Sequence, residues 1–265
     1  MPFSLKDAFY LEPIFWVGLL FVTFPLNYLV YGLNDYNDLE ADEVNLRKGN
    51  FLFGAKASRA QLDKLPRKIT LVMLPFVIYF TWIAGWQMLL LLIFMVVINL
   101  LYNFKPFRFK ERPPFEIFIQ VGYVFTVIFS VVLNDLSMIS WQTVVYLCLF
   151  AFQAHIAGEI MDIEPDLLAN KKTTATLIGR KNTKLLMLVI LITETFLLLY
   201  WFEDYILSAF LGVFSIWLIL DIWIFFKDKP YSVPQMKFFG ICMNIVALLS
   251  MAWVLYSGTL LAPKF

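Results

Sequence analysis

Two groups of carboxylates stand at the ends of long apolar runs in this chain. The first lies in Asn34-Asp35-Tyr36-Asn37-Asp38-Leu39-Glu40-Ala41-Asp42, the second in Asp162-Ile163-Glu164-Pro165-Asp166. A carboxylate beside lipid is costly, so its presence there points to function by default. The spacing adds to this. Asp35, Asp38 and Asp42 fall at i, i+3 and i+7, which on a helix puts them on one face. Asp162 and Asp166 fall at i and i+4, with Glu159 one turn earlier. Two such faces that meet across a bundle suit a hard divalent cation. Mg²⁺ takes one or two carboxylates and fills its shell with substrate phosphates and water.

That chemistry asks for a diphosphate. Carboxylates repel it unless cations lie between them, and basic side chains can take the remaining oxygens. Arg108 and Lys110 alternate in Lys105-Pro106-Phe107-Arg108-Phe109-Lys110, and alternate residues of an extended segment point the same way. Arg47-Lys48 follows the first acidic group and Lys171-Lys172 the second. A diphosphate neutralised from both sides is a good leaving group. If it leaves an allylic carbon, the cation behind it needs shelter from water and profits from aromatic faces. Of 28 Phe, 12 Tyr and 8 Trp, most are packing or lipid-facing residues. Tyr28, Tyr31 and Tyr102 are the candidates for the site, because they lie within two turns of the polar ends.

Long helices must hold these residues. The chain of 265 residues is 61% hydrophobic with a mean hydropathy of +0.75, against about 45–50% apolar in a soluble domain. It is therefore read as an all-α polytopic membrane protein whose partners include the lipid bilayer; nucleic acid is not expected among them. A span needs about 20 mostly apolar residues. Eight candidates follow: Pro13–Tyr31, Ile69–Gly85, Gln87–Asn103, Phe115–Leu133, Trp141–Ile160, Leu185–Phe202, Tyr205–Phe226 and Met236–Ser257. The second and third join at Gly85-Trp86 as a helical hairpin. Cys148 and Cys242 lie in apolar runs and read as small buried hydrophobes, not a disulfide framework. No cleavable leader is visible at the start of the chain.

All but two of the 21 Lys and Arg residues fall in the loops after the first, third, fifth and seventh spans; Lys6 and Lys264 are the exceptions. The positive-inside rule makes those loops cytoplasmic, and both acidic groups share that face. Each half of the chain, about 1–110 and 111–265, carries one acidic motif before a basic loop within a single membrane-embedded domain.

The motif Asn34-Asp35-x-x-Asp38-x-x-x-Asp42, followed by Asp162-x-x-x-Asp166, resembles the NDxxDxxxD and DxxxD pair of the UbiA superfamily of intramembrane prenyltransferases. The resemblance implies helices around a central cavity open toward lipid. It implies Mg²⁺-dependent transfer of a polyprenyl group from its diphosphate to a lipophilic acceptor. Asp35, Asp38, Asp42, Asp162 and Asp166 would hold the Mg²⁺–diphosphate, assisted by Asn34. Tyr102, Arg108 and Lys110 match the family's Tyr…Arg-x-Lys segment and would contact phosphate. Pro25-Leu26-Asn27-Tyr28, Asn45-Leu46-Arg47-Lys48-Gly49 and His155-x-x-x-Glu159-x-x-Asp162 look like the lycopene-elongase branch, in which the nucleophile is a carbon–carbon double bond of a carotenoid. Quinone-making members commonly carry a basic residue where this chain has Asn27, a difference that favours a non-aromatic acceptor; an aromatic quinone precursor or another lipid acceptor is the alternative.

Two departures from the family stand out. It usually has nine helices, one of them ahead of the helix that bears the first motif. Only one span precedes residue 34 here, so eight are expected, with the first absent, an incomplete cavity wall and activity in doubt. Asn170 stands where a Gly is frequent, and Asn tolerates the left-handed backbone such a turn requires. His155, the only histidine, and Glu159 share a face with Asp162. They read either as hydrogen-bonded bundle residues or as acceptors of the proton released after bond formation. Glu194, Asp221, Asn99 and Asn244 read either as interhelical hydrogen-bonding groups or as contacts to the acceptor. A transporter is the non-enzyme alternative, although the acidic groups sit at the interface and not at mid-membrane.

Overall fold

A run of twenty apolar residues inside a bilayer has only its own backbone to bond with, so it coils. The computed structural model describes residues 11–46, 48–50, 53–134, 139–261 and 263. Among them there are helices and one isolated bridge, Asn50 to Gly54, but no strand. In chain order the helices that matter are α1 (Pro13–Asn37), the short α2 (Leu39–Val44), α3 (Leu65–Asn103), α4 (Phe115–Leu133), α5 (Trp141–Leu168), the short α6 (Thr174–Ile178), α7 (Arg180–Phe202), α8 (Tyr205–Trp223) and α9 (Val233–Ser257). All except α2 and α6 lie in stretches long and apolar enough to cross a bilayer.

At 1.5 Å per residue α3 would be roughly 58 Å long, about twice a hydrocarbon core. It does not run straight. Gly85 has φ 74° and ψ −166°, a conformation essentially reserved for glycine. Both ends of α3 return to the same end of α1. Ile69 lies so close to Gly32 that a Cβ there would stand 3.0 Å from its Cδ1. At the other end Lys110 links Asn103 to Asn34. The chain therefore reverses at Gly85, so the seven apolar stretches account for the eight segments expected from sequence, with the one expected over Tyr205–Phe226 ending at Trp223.

Phe21, Phe80 and Phe129 hold α1, α3 and α4 together, each pair of ring centroids 5.1 Å apart. A second core joins α4, α5, α7 and α8 through Ile117, Ile156, Ile160, Leu191, Leu218 and Ile222. Of α9 only Met236 is buried. Within α1, Pro25 lacks the N–H a helix needs, and the chain opens into a π turn at Val22–Leu26. Cys148 and Cys242 are free and half-buried.

The loops after α2, α3, α5 and α8 meet at one end of the bundle. Asn45 donates to Asp162 at 3.1 Å, Lys110 and Lys171 both reach Asp38, and Arg180 joins Glu164 at the end of α5 to the Asp228 carbonyl after α8. Asn170 adopts φ 53° in the turn after α5, as its tolerance of that region predicted.

Candidate active site

The first acidic motif does not lie on one continuous helix. Asp38 interrupts it with φ −108° and ψ 12°, between α1 and α2. The break turns the carboxylates two ways. Asp35 and Asp42 both face Lys48, whose Nζ stands 2.9 and 3.1 Å from them. Burial pushes the Lys48 ammonium down, but these two carboxylates outweigh it and hold the group above its usual value. Asp38 instead points inward and is 7% exposed. Lys110 Nζ lies 2.6 Å from its Oδ1, Lys171 Nζ 3.1 Å from its Oδ2, and Arg108 Nη2 at 3.9 Å. Burial pushes the Asp38 carboxyl up, and the Lys110 and Lys171 charges more than offset this, leaving it below the ordinary carboxylate value.

Lys171 also ties the second motif in, with Nζ 3.9 Å from Asp166. Arg108 and Lys110 do reach the same carboxylate, yet not from an extended segment. Arg108 is left-handed (φ 41°) and Phe109–Glu111 form a 3₁₀ turn, so the two side chains converge by curling. Lys172 is exposed and takes no ion pair among the described residues. Arg47 lies outside the described residues.

A cavity of about 430 Å³ reaches this cluster from within the bundle, lined by Asn27, Tyr31, Asn34, Tyr102, Tyr123 and His155 among others. Asn34 belongs to both places, because its Oδ1 accepts from Lys110 Nζ at 3.3 Å. Tyr102 lies near Gln120, and Tyr123 near Tyr31. Asn27 and Asn99 each donate to a carbonyl one turn back in their own helix. Asn99 thus makes an intrahelical bond, not the interhelical one expected, as does Asn244. Tyr28 stacks on Phe24 and stands outside the cavity lining.

His155 Nε2 lies 3.0 Å from Glu159 Oε1, without the alignment of a hydrogen bond. The other oxygen of Glu159 accepts from the Ala175 amide at 3.0 Å. Several residues to which the sequence assigns no role also hold the site. Asn103 accepts from Lys110 at 3.1 Å, Asn45 holds Asp162, and Glu116 receives both donors of Thr174. For Glu116 the available signal was a lone carboxylate opening the apolar run after Pro113-Pro114.

Among the described residues no three His, Cys, Asp or Glu side chains converge as a metal cluster. The carboxylates converge in pairs, Asp35 with Asp42 and Asp38 with Asp166, each pair sharing one ammonium nitrogen. All-oxygen pairs that already share a cation fit Mg²⁺, which needs one or two carboxylates, and not Zn²⁺, which prefers nitrogen and sulfur.

The UbiA prenyltransferase family model matches residues 4–248. A lycopene elongase/hydratase of Corynebacterium glutamicum is 27% identical over 187 residues, covering 68% of this chain and 65% of that protein. A lycopene elongase/hydratase of Haloarcula japonica is 27% identical over 164 residues, 62% of this chain and 54% of its own length. The C(50) beta-cyclic carotenoids biosynthesis protein LbtBC of Dietzia sp. is 24% identical over 168 residues, 62% and 39% respectively. The chain thus spans less than two thirds of the length of these relatives. No solved structure matches it. With the family's match running through nearly the whole bundle, both acidic motifs included, the chain belongs to the UbiA prenyltransferase family.

Proposed function

We propose that this chain transfers a prenyl group from an allylic prenyl diphosphate to a carbon–carbon double bond of a carotenoid such as lycopene, with Mg²⁺ as cofactor and the acidic motifs on the cytoplasmic side. One observation carries the reading. A cluster of three cations around Asp38 adjoins, through Asn34, a cavity with an aromatic and aliphatic wall. A charged head and an apolar tail would then find their own solvents side by side. The names of the relatives support the carotenoid branch. So does the neutral Asn27 in the cavity wall, which offers no cation to a carboxylated aromatic ring.

Asp35 with Asp42, and Asp38 with Asp166 and Asp162, would hold Mg²⁺. Bound there, the ion supplies positive charge to the leaving diphosphate. Lys110, Lys171 and Arg108 take the other oxygens as charge-assisted donors. As the allylic C–O bond breaks, its electron pair leaves with the diphosphate. The Tyr31, Tyr102 and Tyr123 rings and the apolar wall keep water from the carbon left behind and face it with π density. The acceptor's π pair forms the new C–C bond, and the cation that results loses a proton. Glu159, oriented by the Ala175 amide and beside His155, is the base for that proton.

Glu159→Gln keeps an oxygen for the Ala175 amide and removes the base. Turnover should fall by about 10²–10⁴-fold, the usual size of a general-base contribution. Binding of the prenyl diphosphate should stay within about twofold, since the donor head is held elsewhere. Unchanged turnover in this variant rules Glu159 out as the base.

The acceptor is tested by supplying labelled dimethylallyl diphosphate and Mg²⁺ to the purified chain in lipid nanodiscs, with lycopene in one arm and 4-hydroxybenzoate in the other. Label should enter the carotenoid. Label in the aromatic acid alone would move the chain to a quinone pathway, and diphosphate release in neither arm would refute the enzyme reading.

A further inference from the structure

The two lysines that face Asp38 repel each other, so they must be held together. Lys110 takes one oxygen of the carboxylate and Lys171 the other, at 2.6 and 3.1 Å. They ride on separate loops, one after α3 and one after α5. Asp38 carries one negative charge for two ammonium groups. Whenever its oxygens engage another cation, the lysines would push their loops apart.

The loops are fastened to each other at a second point, which the mechanism above does not use. Glu116 opens α4 just beyond the Lys110 turn, and Thr174 opens α6 just beyond Lys171. Glu116 Oε1 accepts from the Thr174 amide at 2.6 Å and from its hydroxyl at 2.5 Å. The Glu116 side chain is wholly buried and Thr174 nearly so. Charge-assisted bonds in dry surroundings are the strong ones. The links from this clasp to the lysines are short and stiff. On one side stand the 3₁₀ turn Phe109–Glu111 and then Pro113-Pro114. On the other, the Lys171 amide donates to the Asp166 carbonyl at 2.8 Å, and its carbonyl accepts from Thr176 Oγ1 at 3.4 Å. A shift at the clasp therefore reaches the Lys171 ammonium group, while Lys110 keeps its own bonds to Asp38 and Asn103.

We infer that Glu116 is a positioning residue: by gripping Thr174 it holds the Lys171 loop against the Lys110 loop, so that both ammonium groups stay on one diphosphate. This rests on the reading of the Asp38 cluster as a diphosphate site. Glu116 itself touches no substrate. It acts through Lys171.

The test is calorimetric binding of inorganic diphosphate with Mg²⁺ to the full chain in nanodiscs. Lys171→Met should weaken binding about tenfold, and Glu116→Ala by a similar factor, the range of a lost bond to a charged group. Glu116→Gln, which keeps an acceptor for Thr174, should recover to within about threefold of the unaltered chain. The double variant Glu116→Ala, Lys171→Met should bind no more weakly than Lys171→Met alone, because the two changes remove one interaction. A purely structural role would multiply the losses instead, and that result overturns the inference. So does normal binding by Glu116→Ala when Lys171→Met is weakened. If Glu116→Ala does not fold, Thr174→Val, which deletes the hydroxyl donor alone, carries the same comparison with a loss of about threefold. Full-strength binding by Lys171→Met would overturn the diphosphate reading, and this inference with it.

Discussion

Asp38→Asn should lower the rate of diphosphate release by about two to three powers of ten, the size of losing one preorganised electrostatic partner. The side chain keeps its shape and one acceptor oxygen, so the loss reads the charge. Asp38 is the carboxylate on which the site turns: three cations from two separate loops address it, and it is the most buried of the five aspartates assigned to the motifs. Removing its charge also leaves Lys110, 6% exposed, without an anion. An uncompensated buried charge costs about 3–5 kcal/mol, so the thermal midpoint should drop as well. The two effects separate by experiment. Adding Lys110→Met to Asp38→Asn removes the stranded charge and should restore part of the midpoint, while release stays at the variant's low level. If Asp38→Asn releases diphosphate at more than about a third of the normal rate at saturating Mg²⁺, the cluster does not bind the leaving group as proposed.

Much of this site can be read from the chain because its residues break a strong local rule. Carboxylates that interrupt apolar runs draw attention whatever the fold, and Asp35, Asp38, Asp42, Asp162 and Asp166 all did so. The hairpin at Gly85 is legible for a related reason: a 39-residue apolar helix is too long for one crossing, and glycine is the residue that can turn it. Direction is harder to read than identity. The alternation of Arg108 and Lys110 suggests an extended segment, and the chain reaches the same convergence through a left-handed residue and a 3₁₀ turn. Likewise the i, i+3, i+7 spacing implied one face, whereas the break at Asp38 sends the middle carboxylate to a different partner from its neighbours.

What stays hidden is pairing between distant elements. Nothing local to Glu116 names Thr174, and nothing local to Asn45 names Asp162. Glu194 shows the opposite failure. Its place inside a span suggested a hydrogen bond across helices, yet it is wholly buried with neither carboxyl oxygen bonded among the described residues. Of the two span carboxylates read this way, only Asp221 is bonded across the bundle, through Tyr231 and Lys184.

Lys184→Met should destabilise the protein by about 3–5 kcal/mol, the cost of stranding one member of a buried ion pair. In the sequence Lys184 counts as one more cation of the basic loop before Leu185. In the structure α7 already begins at Arg180, and Lys184 is a helical residue with no exposure. Its Nζ lies 2.6 Å from Asp221 Oδ2, donates to the Lys227 carbonyl at 2.9 Å, and stands 4.6 Å from the centre of the Tyr231 ring. Asp221 is equally buried and also accepts from the Tyr231 hydroxyl at 2.5 Å. Methionine fills most of the lysine's volume, so the loss would come from the unpaired Asp221 charge and not from a cavity. The double variant Lys184→Met, Asp221→Leu should therefore recover most of the stability, since apolar side chains of similar volume often replace a buried pair at little or no cost. Recovery would stop short of complete, because the Tyr231 hydroxyl and the Lys227 carbonyl lose their partners. Thermal unfolding in one detergent, compared across the single and double variants, reads this order. If Lys184→Met alone unfolds at the same temperature as the unaltered chain, water reaches the pair, and α7 and α8 are not joined there by a dry ion pair.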